Sequence, residues 1–419
     1  MAFILYTAAV LLLSIKSTSG ICPQNCSCDN EYQLAVNCDD VKLRYLPPLL
    51  HPGTQFLRLS KCQIEQLDLD VMELYPGKFS ETCLRYFNIV VIASPTKCTN
   101  YLFLGKSAFL ASLRMYLDLS SNRLQRIESN ALEDLGELLE LNLSYNLLNN
   151  FSFEIFTGLI NLQKLRIAGN QITRFDDSPL SKTLPNLRNI DLSQNMITSI
   201  PSDTFLGLKL IKAIDLSSNL LKEIPTFDQN NLVNLKYLNM NFNKLREITP
   251  HSFRQLLSLL ELDLARNEFS VLSASAFDGL FHLKELKLSE QMYLRKIQNG
   301  AFSGLASLEV LNLSHSQILE YIDENAFEVS HALRTFDASY CSLKTFPSGL
   351  FDWKRVTELR LHGNPLHCDH KLLSFLPDIL RLRSIHNVIC ASPNDLYNIS
   401  ISALVSVCII ALNDWTLSM

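Results

Sequence analysis

A phrase of eight residues recurs along this chain and restricts its folding more than any other feature. LDLSSNRL begins at Leu117, LNLSYNLL at Leu141, LRIAGNQI at Leu165 and IDLSQNMI at Ile190. IDLSSNLL, LNMNFNKL and LDLARNEF follow at Ile214, Leu238 and Leu262. Looser copies start at Leu286, Leu311, Phe336 and Leu359; an earlier copy, LRLSKCQI, starts at Leu57, and a degraded one is expected near Phe87. From Leu117 onward the copies are 23 to 25 residues apart, the period of a solenoid whose coils bury apolar surface against their neighbours. The expectation is a stack of about thirteen coils, none able to fold alone.

Within the phrase, side chains alternate along an extended strand, so both leucines of L-x-L enter the core while the residue between them faces solvent. The coils then share one parallel sheet, about 60 Å along its inner arc for strands roughly 4.8 Å apart. The recurring Asn122, Asn146, Asn170, Asn195, Asn219, Asn243, Asn267 and Asn364 stand where the chain leaves the strand. An amide there donates and accepts, satisfying backbone groups that no ladder reaches. Cys62 and Cys341 occupy the same slot and read as buried thiols. On the far side of each coil Phe156, Phe205, Phe277 and Phe302, with Phe109, Phe253 and Phe327 in register, predict a second apolar spine.

The first twenty residues hold an apolar run from Phe3 to Leu13 followed by small residues. They read as a secretory signal over 1–20, the run being too short to span a bilayer. Eleven cysteines in an exported chain point to disulfides. CPQNCSCDNEYQLAVNC precedes the first coil, and NPLHCDHKLLSFL follows the last. With these closures the chain resembles the extracellular leucine-rich-repeat family with cysteine-rich caps, the type seen in Slit proteins, Nogo-type receptors and Toll-like receptor ectodomains. The resemblance implies an α/β solenoid, a leucine-rich-repeat horseshoe with a concave parallel sheet and a mostly irregular or helical-turn convex side. It implies the pairs Cys22–Cys28, Cys26–Cys38 and Cys368–Cys390. Cap boundaries are expected at 21–53 and 367–408, repeats at 54–366 with an irregular insertion at about 65–112, and a tail at 409–419. The family's C-x-C after the last repeat is replaced by Cys368-Asp369-His370, which leaves Cys408 odd. Its candidate states are a free thiol, a bridge joining two copies, or an inert buried cysteine. Cys83 and Cys98 flank the insertion and are candidates to staple it, contributing about 3 kcal/mol in the chain-entropy view.

The chain carries no nucleophile elbow, phosphate loop or H-E-x-x-H, and no enzyme activity or cofactor is expected. His362, His367 and His370 match no strong zinc spacing. Asp118, Asp191, Asp215 and Asp263, each central in L-D-L or I-D-L, read as a solvated face. A net charge of −5 gives no basic face for nucleic acid. The expected role is binding an extracellular protein ligand or receptor on the concave strands. The candidate contacts are Arg166, Asp191, Asp215, Tyr237, Asn239, Phe242, Asp263, Arg266 and Lys287, of which Phe242 and Tyr237 have the character of interface anchors. Sequons at Asn142, Asn150, Asn312 and Asn398 are candidates for N-glycans. Sugars on Asn142 and Asn312 would fence the concave face from either side. The apolar stretch Ile399–Leu412 is too short and too broken by serines for a membrane span. Secretion to the extracellular space or matrix is therefore expected, with the ectodomain of a membrane receptor as the alternative.

Overall fold

The computed structural model describes residues 22, 25–28, 35–43, 56–63, 66–67, 115–128, 131–133, 135–149, 152–227, 232–327, 332–369, 372, 376–379 and 381–404. Two compact units divide the chain, Met1–Asn195 and Met196–Met419. In the first, Ser27–Cys28 pairs antiparallel with Ala35–Asn37. Parallel strands follow in register at Phe56–Arg58, Met115–Asp118, Leu138–Asn142, Lys164–Arg166 and Asn189–Asp191. In the second, the parallel strands are Ala213–Asp215, Tyr237–Asn239, Glu261–Asp263, Glu285–Lys287, Val310–Asn312, Thr335–Asp337 and Glu358–Arg360. A separate small sheet there pairs Val271–Leu272, Lys296–Ile297 and Tyr321–Ile322.

The fold is thus a stacked parallel-strand solenoid whose strands are the repeated phrase. One adjustment to the expected count follows from pairing. Phe56–Arg58 is bonded directly to Met115–Asp118, so no strand from the expected copy near Phe87 stands between them in the sheet. Phe87 itself lies outside the described residues.

Most three-residue strands bury their centre and turn both flanks outward, as in Lys164–Arg166 and Ala213–Asp215. The two apolar positions of each phrase form two core columns, for example Leu238 with Met240 and Leu262 with Leu264, all 2% exposed or less. Fully burying such a side chain contributes roughly 1.5–3 kcal/mol. The Asn ladder closes the strand exits. Asn243 donates through Nδ2 to the carbonyls of Leu216, Met240 and Asn241 and accepts the Leu221 N–H; Asn146, Asn170, Asn195 and Asn267 repeat the pattern. In the same slot the buried thiols of Cys62 and Cys341 donate to backbone carbonyls instead, Cys62 to Cys38 at 2.9 Å and Cys341 to Leu313 at 3.4 Å. Burial pushes the Cys341 thiol up to about 12, with Asp337 adding to the rise and a backbone bond to Ser316 opposing it.

The aromatic spine forms in stacked stretches. Phe253, Phe277, Phe302 and Phe327 stack with centroids 4.6–6.3 Å apart. Phe205 instead stacks on Phe227, and in the first unit Phe153 stacks on Phe175. Phe109 lies outside the described residues. Among the described residues helical structure on this side is limited to short 3-10 turns such as Phe153–Phe156 and Trp353–Arg355. The structure contains the disulfides Cys22–Cys28, Cys26–Cys38 and Cys368–Cys390. Cys83, Cys98 and Cys408 lie outside the described residues.

Candidate functional site

The outward flanks of the second unit's strands make two rows across the sheet. One runs Ala213, Tyr237, Glu261, Glu285, Val310; the other runs Asp215, Asn239, Asp263, Lys287, Asn312, each residue beside the next in register. Four of the expected contacts, Asp215, Asn239, Asp263 and Lys287, are therefore consecutive neighbours. Arg166 and Asp191 are neighbours of each other within the first unit, where Glu140 pairs with Lys164 at 2.8 Å and Arg166 at 3.7 Å.

Phe242 and Arg266 stand elsewhere than on the strands. Both occupy the residue just before the Asn slot, in the turn that leaves the strand, with φ of 52° and 54°. The same left-handed position is filled in the second unit by Ser218, Glu290, His315, Tyr340 and Gly363. Stacking imposes this conformation on ordinary residues, for the backbone N–H here bonds the next coil's carbonyl, as Phe242 does to Ala265 and Arg266 to Ser289. Side chains at this position form a ridge along the strand exits. The Arg266 guanidinium lies 5.7 Å from the Phe242 ring centroid and 2.8 Å from a Glu290 carboxylate oxygen. Phe242 remains 55% exposed despite this contact, so its ring is offered rather than folded away. Further along, His315 stacks on Tyr340 at 4.7 Å and the edge of His362 meets it at 4.9 Å. Gly363, at φ 74°, admits the ring because a Cβ there would lie 2.5 Å from Tyr340 Cδ1. Glu290, His315 and Tyr340 were legible only by position, one residue before the repeating Asn.

The acids at this strand position, with Asp191, Asp215 and Asp263 half-exposed and Asp118 and Asp337 buried, also serve the backbone at the strand exit. The Oδ1 atoms of Asp118, Asp191, Asp215, Asp263 and Asp337 each accept the backbone N–H two residues on, at 2.9–3.0 Å. They bracket the strand exit, an Asx turn that holds the backbone for the ladder behind it. Asp118 is only 3% exposed and takes bonds from Arg58 and the Tyr116 hydroxyl. Burial would lower the Lys287 ammonium, but Glu285, at 3.1 Å, with Asp263 and Glu261, outweighs it and holds the group above its ordinary value.

Of the sequons, Asn312 lies on the second unit's outward row and Asn142 beside Asp118 and Arg166 in the first unit, both half-buried and each accepting an N–H from the serine two residues on. Asn398 is exposed at φ 63°, and Asn150 lies outside the described residues. His362 packs on Tyr340 and His367 Nδ1 lies 2.8 Å from Ser392 Oγ; His370 lies outside the described residues. Among the described residues no three His, Cys, Asp or Glu side chains are grouped to hold a metal.

The leucine rich repeat family matches overlapping stretches running from residue 114 to residue 343, and the leucine rich repeat N-terminal domain matches 21–50. The chain is a leucine-rich-repeat protein. Lumican of Homo sapiens is 31% identical over 185 residues, 43% of this leucine-rich-repeat chain and 49% of that protein. Tsukushi of Gallus gallus is 28% identical over 214 residues, 48% and 54% respectively. The chain thus spans about half the length of the curated relatives it matches. Two solved structures cover most of it. The leucine-rich repeat domain of APL1B matches at TM-score 0.55 and 17% identity, over 89% of this chain and 91% of that one. A chain of the octameric complex of Latrophilin 3, Unc5D and FLRT2 matches at 0.59 and 20%, over 90% and 96%. At these identities they establish the fold. No helix among the described residues is long and apolar enough to cross a membrane.

Proposed function

We propose that this chain is an extracellular, non-catalytic recognition module that binds a protein partner in its second unit. The docking surface is the outward side of the sheet together with the ridge at the strand exits. The observation that carries the reading is the Phe242–Arg266–Glu290 group. It presents an exposed ring and a guanidinium held between that ring and a carboxylate. Aromatic and arginine side chains dominate interface energies, and a side chain already held in place loses less freedom on binding. Tyr237, 44% exposed, lies on the same coil as Phe242. Glu261 beside it, with Asp263 and Glu285 on the next strands, gives the partner polar groups to match.

Disulfides at both ends of the described chain support an oxidising compartment, and with it secretion. Leucine-rich-repeat proteins of similar fold are found in complexes with other proteins, Toll with Spatzle and FLRT2 with Unc5D and Latrophilin 3, which supports a protein partner here. Glycans on Asn142 and Asn312 would restrict approach to the sheet. Beyond residue 404 the Cys408 thiol is the candidate link between two copies.

The test is capture of extracellular proteins by the tagged chain, run beside Phe242→Ala and Arg266→Ala. A partner held by the native chain and weakened at least tenfold by either substitution supports the reading. Equal affinity in all three chains sinks it. Fractionating expressing cells into medium and membranes separates a secreted chain from a membrane-held one.

A further inference from the structure

We propose that Tyr321 is an acceptor for tyrosine O-sulfation, an exposed phenol set in an extended acidic segment. The proposal rests on the extracellular reading above. Tyr321 opens the strand Tyr321–Ile322, the end strand of the small sheet among the described residues. Leu319 and Ile322 are buried at 0% and 3%, which anchors the backbone while Tyr321 remains 48% exposed. Its flanks are Glu320, Asp323 and Glu324. No other tyrosine more than 40% exposed among the described residues has such surroundings. Tyr145 and Tyr237 have no acid within three residues, Tyr340 and Tyr397 have one each, and Tyr293 has Glu290 offset by Arg295 and Lys296.

The chemistry makes those flanks informative. A sulfuryl transferase holds a polyanionic activated-sulfate nucleotide, a mixed sulfuric–phosphoric anhydride, so its cleft must be basic. A phenol surrounded by carboxylates is steered into such a cleft, and one surrounded by lysines is repelled. In the transfer the Tyr321 oxygen attacks sulfur, the bond from sulfur to the bridging phosphate oxygen breaks, and the nucleotide leaves with the electron pair. The phenolic proton passes to a base of the transferase, and no redox partner is required. Tyr321 gives its hydroxyl to Asp323 at 3.2 Å, a long bond that exchange for the transferase base readily replaces. That bond, with slight burial and the charges of Asp323 and Glu324, raises the phenol's pKa, so the proton must be removed by the enzyme. Lys296 lies beside Tyr321 in register and offsets the charge that the sulfate ester adds.

The full chain, purified from secreting cells grown with chlorate so that their own sulfonucleotide synthesis is blocked, and freed of N-glycans, is incubated with a Golgi sulfotransferase fraction and radiolabelled sulfonucleotide. The expected result is labelled sulfotyrosine after alkaline hydrolysis, at least tenfold lower in Tyr321→Phe and unchanged in Tyr293→Phe. A second chain, Glu320→Gln with Asp323→Asn and Glu324→Gln, retains the phenol and is expected to lose label at least fivefold. Labelling that survives Tyr321→Phe, or an unlabelled native chain, overturns the proposal. A gain of about 80 Da on the Tyr321 peptide from cells that alkaline phosphatase removes also overturns it, as phosphorylation. Whether the chain reaches the medium is scored separately, so a failure of the secretion reading is distinguishable from a failure at Tyr321.

Discussion

Replacing Asn243 tests the ladder most sharply, because its four hydrogen bonds are not equally replaceable. Nδ2 donates to Leu216 at 2.9 Å, Met240 at 3.1 Å and Asn241 at 3.2 Å, while Oδ1 accepts from Leu221 at 3.0 Å. Each of the three carbonyls retains another donor in Asn243→Ala: Asn219, Asn267 and the Ser218 N–H respectively. Only the Leu221 N–H is orphaned, in a residue with no exposure. An orphaned buried donor costs roughly 1–3 kcal/mol, and the lost bonds and small void add about 1 kcal/mol. Asn243→Ala is therefore expected to cost about 3 kcal/mol. Asn243→Asp keeps the acceptor for Leu221 but turns an anionic oxygen toward three carbonyls. Its pKa is then raised by folding above the unfolded value of about 3.9. That penalty is present above the unfolded pKa and disappears as pH falls through it, so the variant is less damaged at pH 4 than at pH 7. Urea unfolding followed by circular dichroism at both pH values reads the midpoint and the slope, since a repeat array can lose coils in segments. The reasoning fails if alanine costs under 1 kcal/mol, or if aspartate is milder than alanine at pH 7 and indifferent to pH.

Three further expectations follow from the same coils. With the Cys341 thiol pushed to about 12, about one in ten thousand is thiolate at pH 8; mass spectrometry after iodoacetamide should find it unmodified in the native chain and alkylated in guanidinium. Gln291, fully buried in an Asn slot, leaves its Oε1 without a partner, so Gln291→Asn should raise the urea-derived stability by about 1 kcal/mol; a loss would show that the slot there needs the longer side chain. Gly363→Ala should cost about 2 kcal/mol through its positive φ and the Tyr340 ring, and in a Tyr340→Ala background should lose the steric part, leaving about 1 kcal/mol.

The buried columns were readable from L-x-L, and the ladder from the spacing of Asn146, Asn170 and Asn195, because both follow from period and hydrogen-bond inventory alone. Other features depend on neighbours that no single phrase contains. Phe242 sits in a left-handed turn because the next coil's carbonyl takes its N–H, an arrangement that exists only after stacking. Asp118 reads as a solvated acid in its own phrase; its burial comes from Arg58, sixty residues earlier. Gln291 and Ser316 fall in Asn slots of the looser copies, where the irregular phrase hid the position. The ridge at the strand exits followed no residue type, mixing Phe242, Arg266, Glu290, His315 and Tyr340, and only its place before the Asn slot unites it.

The direct bond between Phe56–Arg58 and Met115–Asp118 has a consequence for how such a chain can change. Neighbouring coils elsewhere are separated by about two dozen residues, yet here Arg58 and Asp118 are sixty apart while still adjoining. The two strands keep their register whatever length of chain joins them, so that link can lengthen or shorten with little entropic cost. This junction is where new sequence can be admitted without renegotiating the pairing on either side.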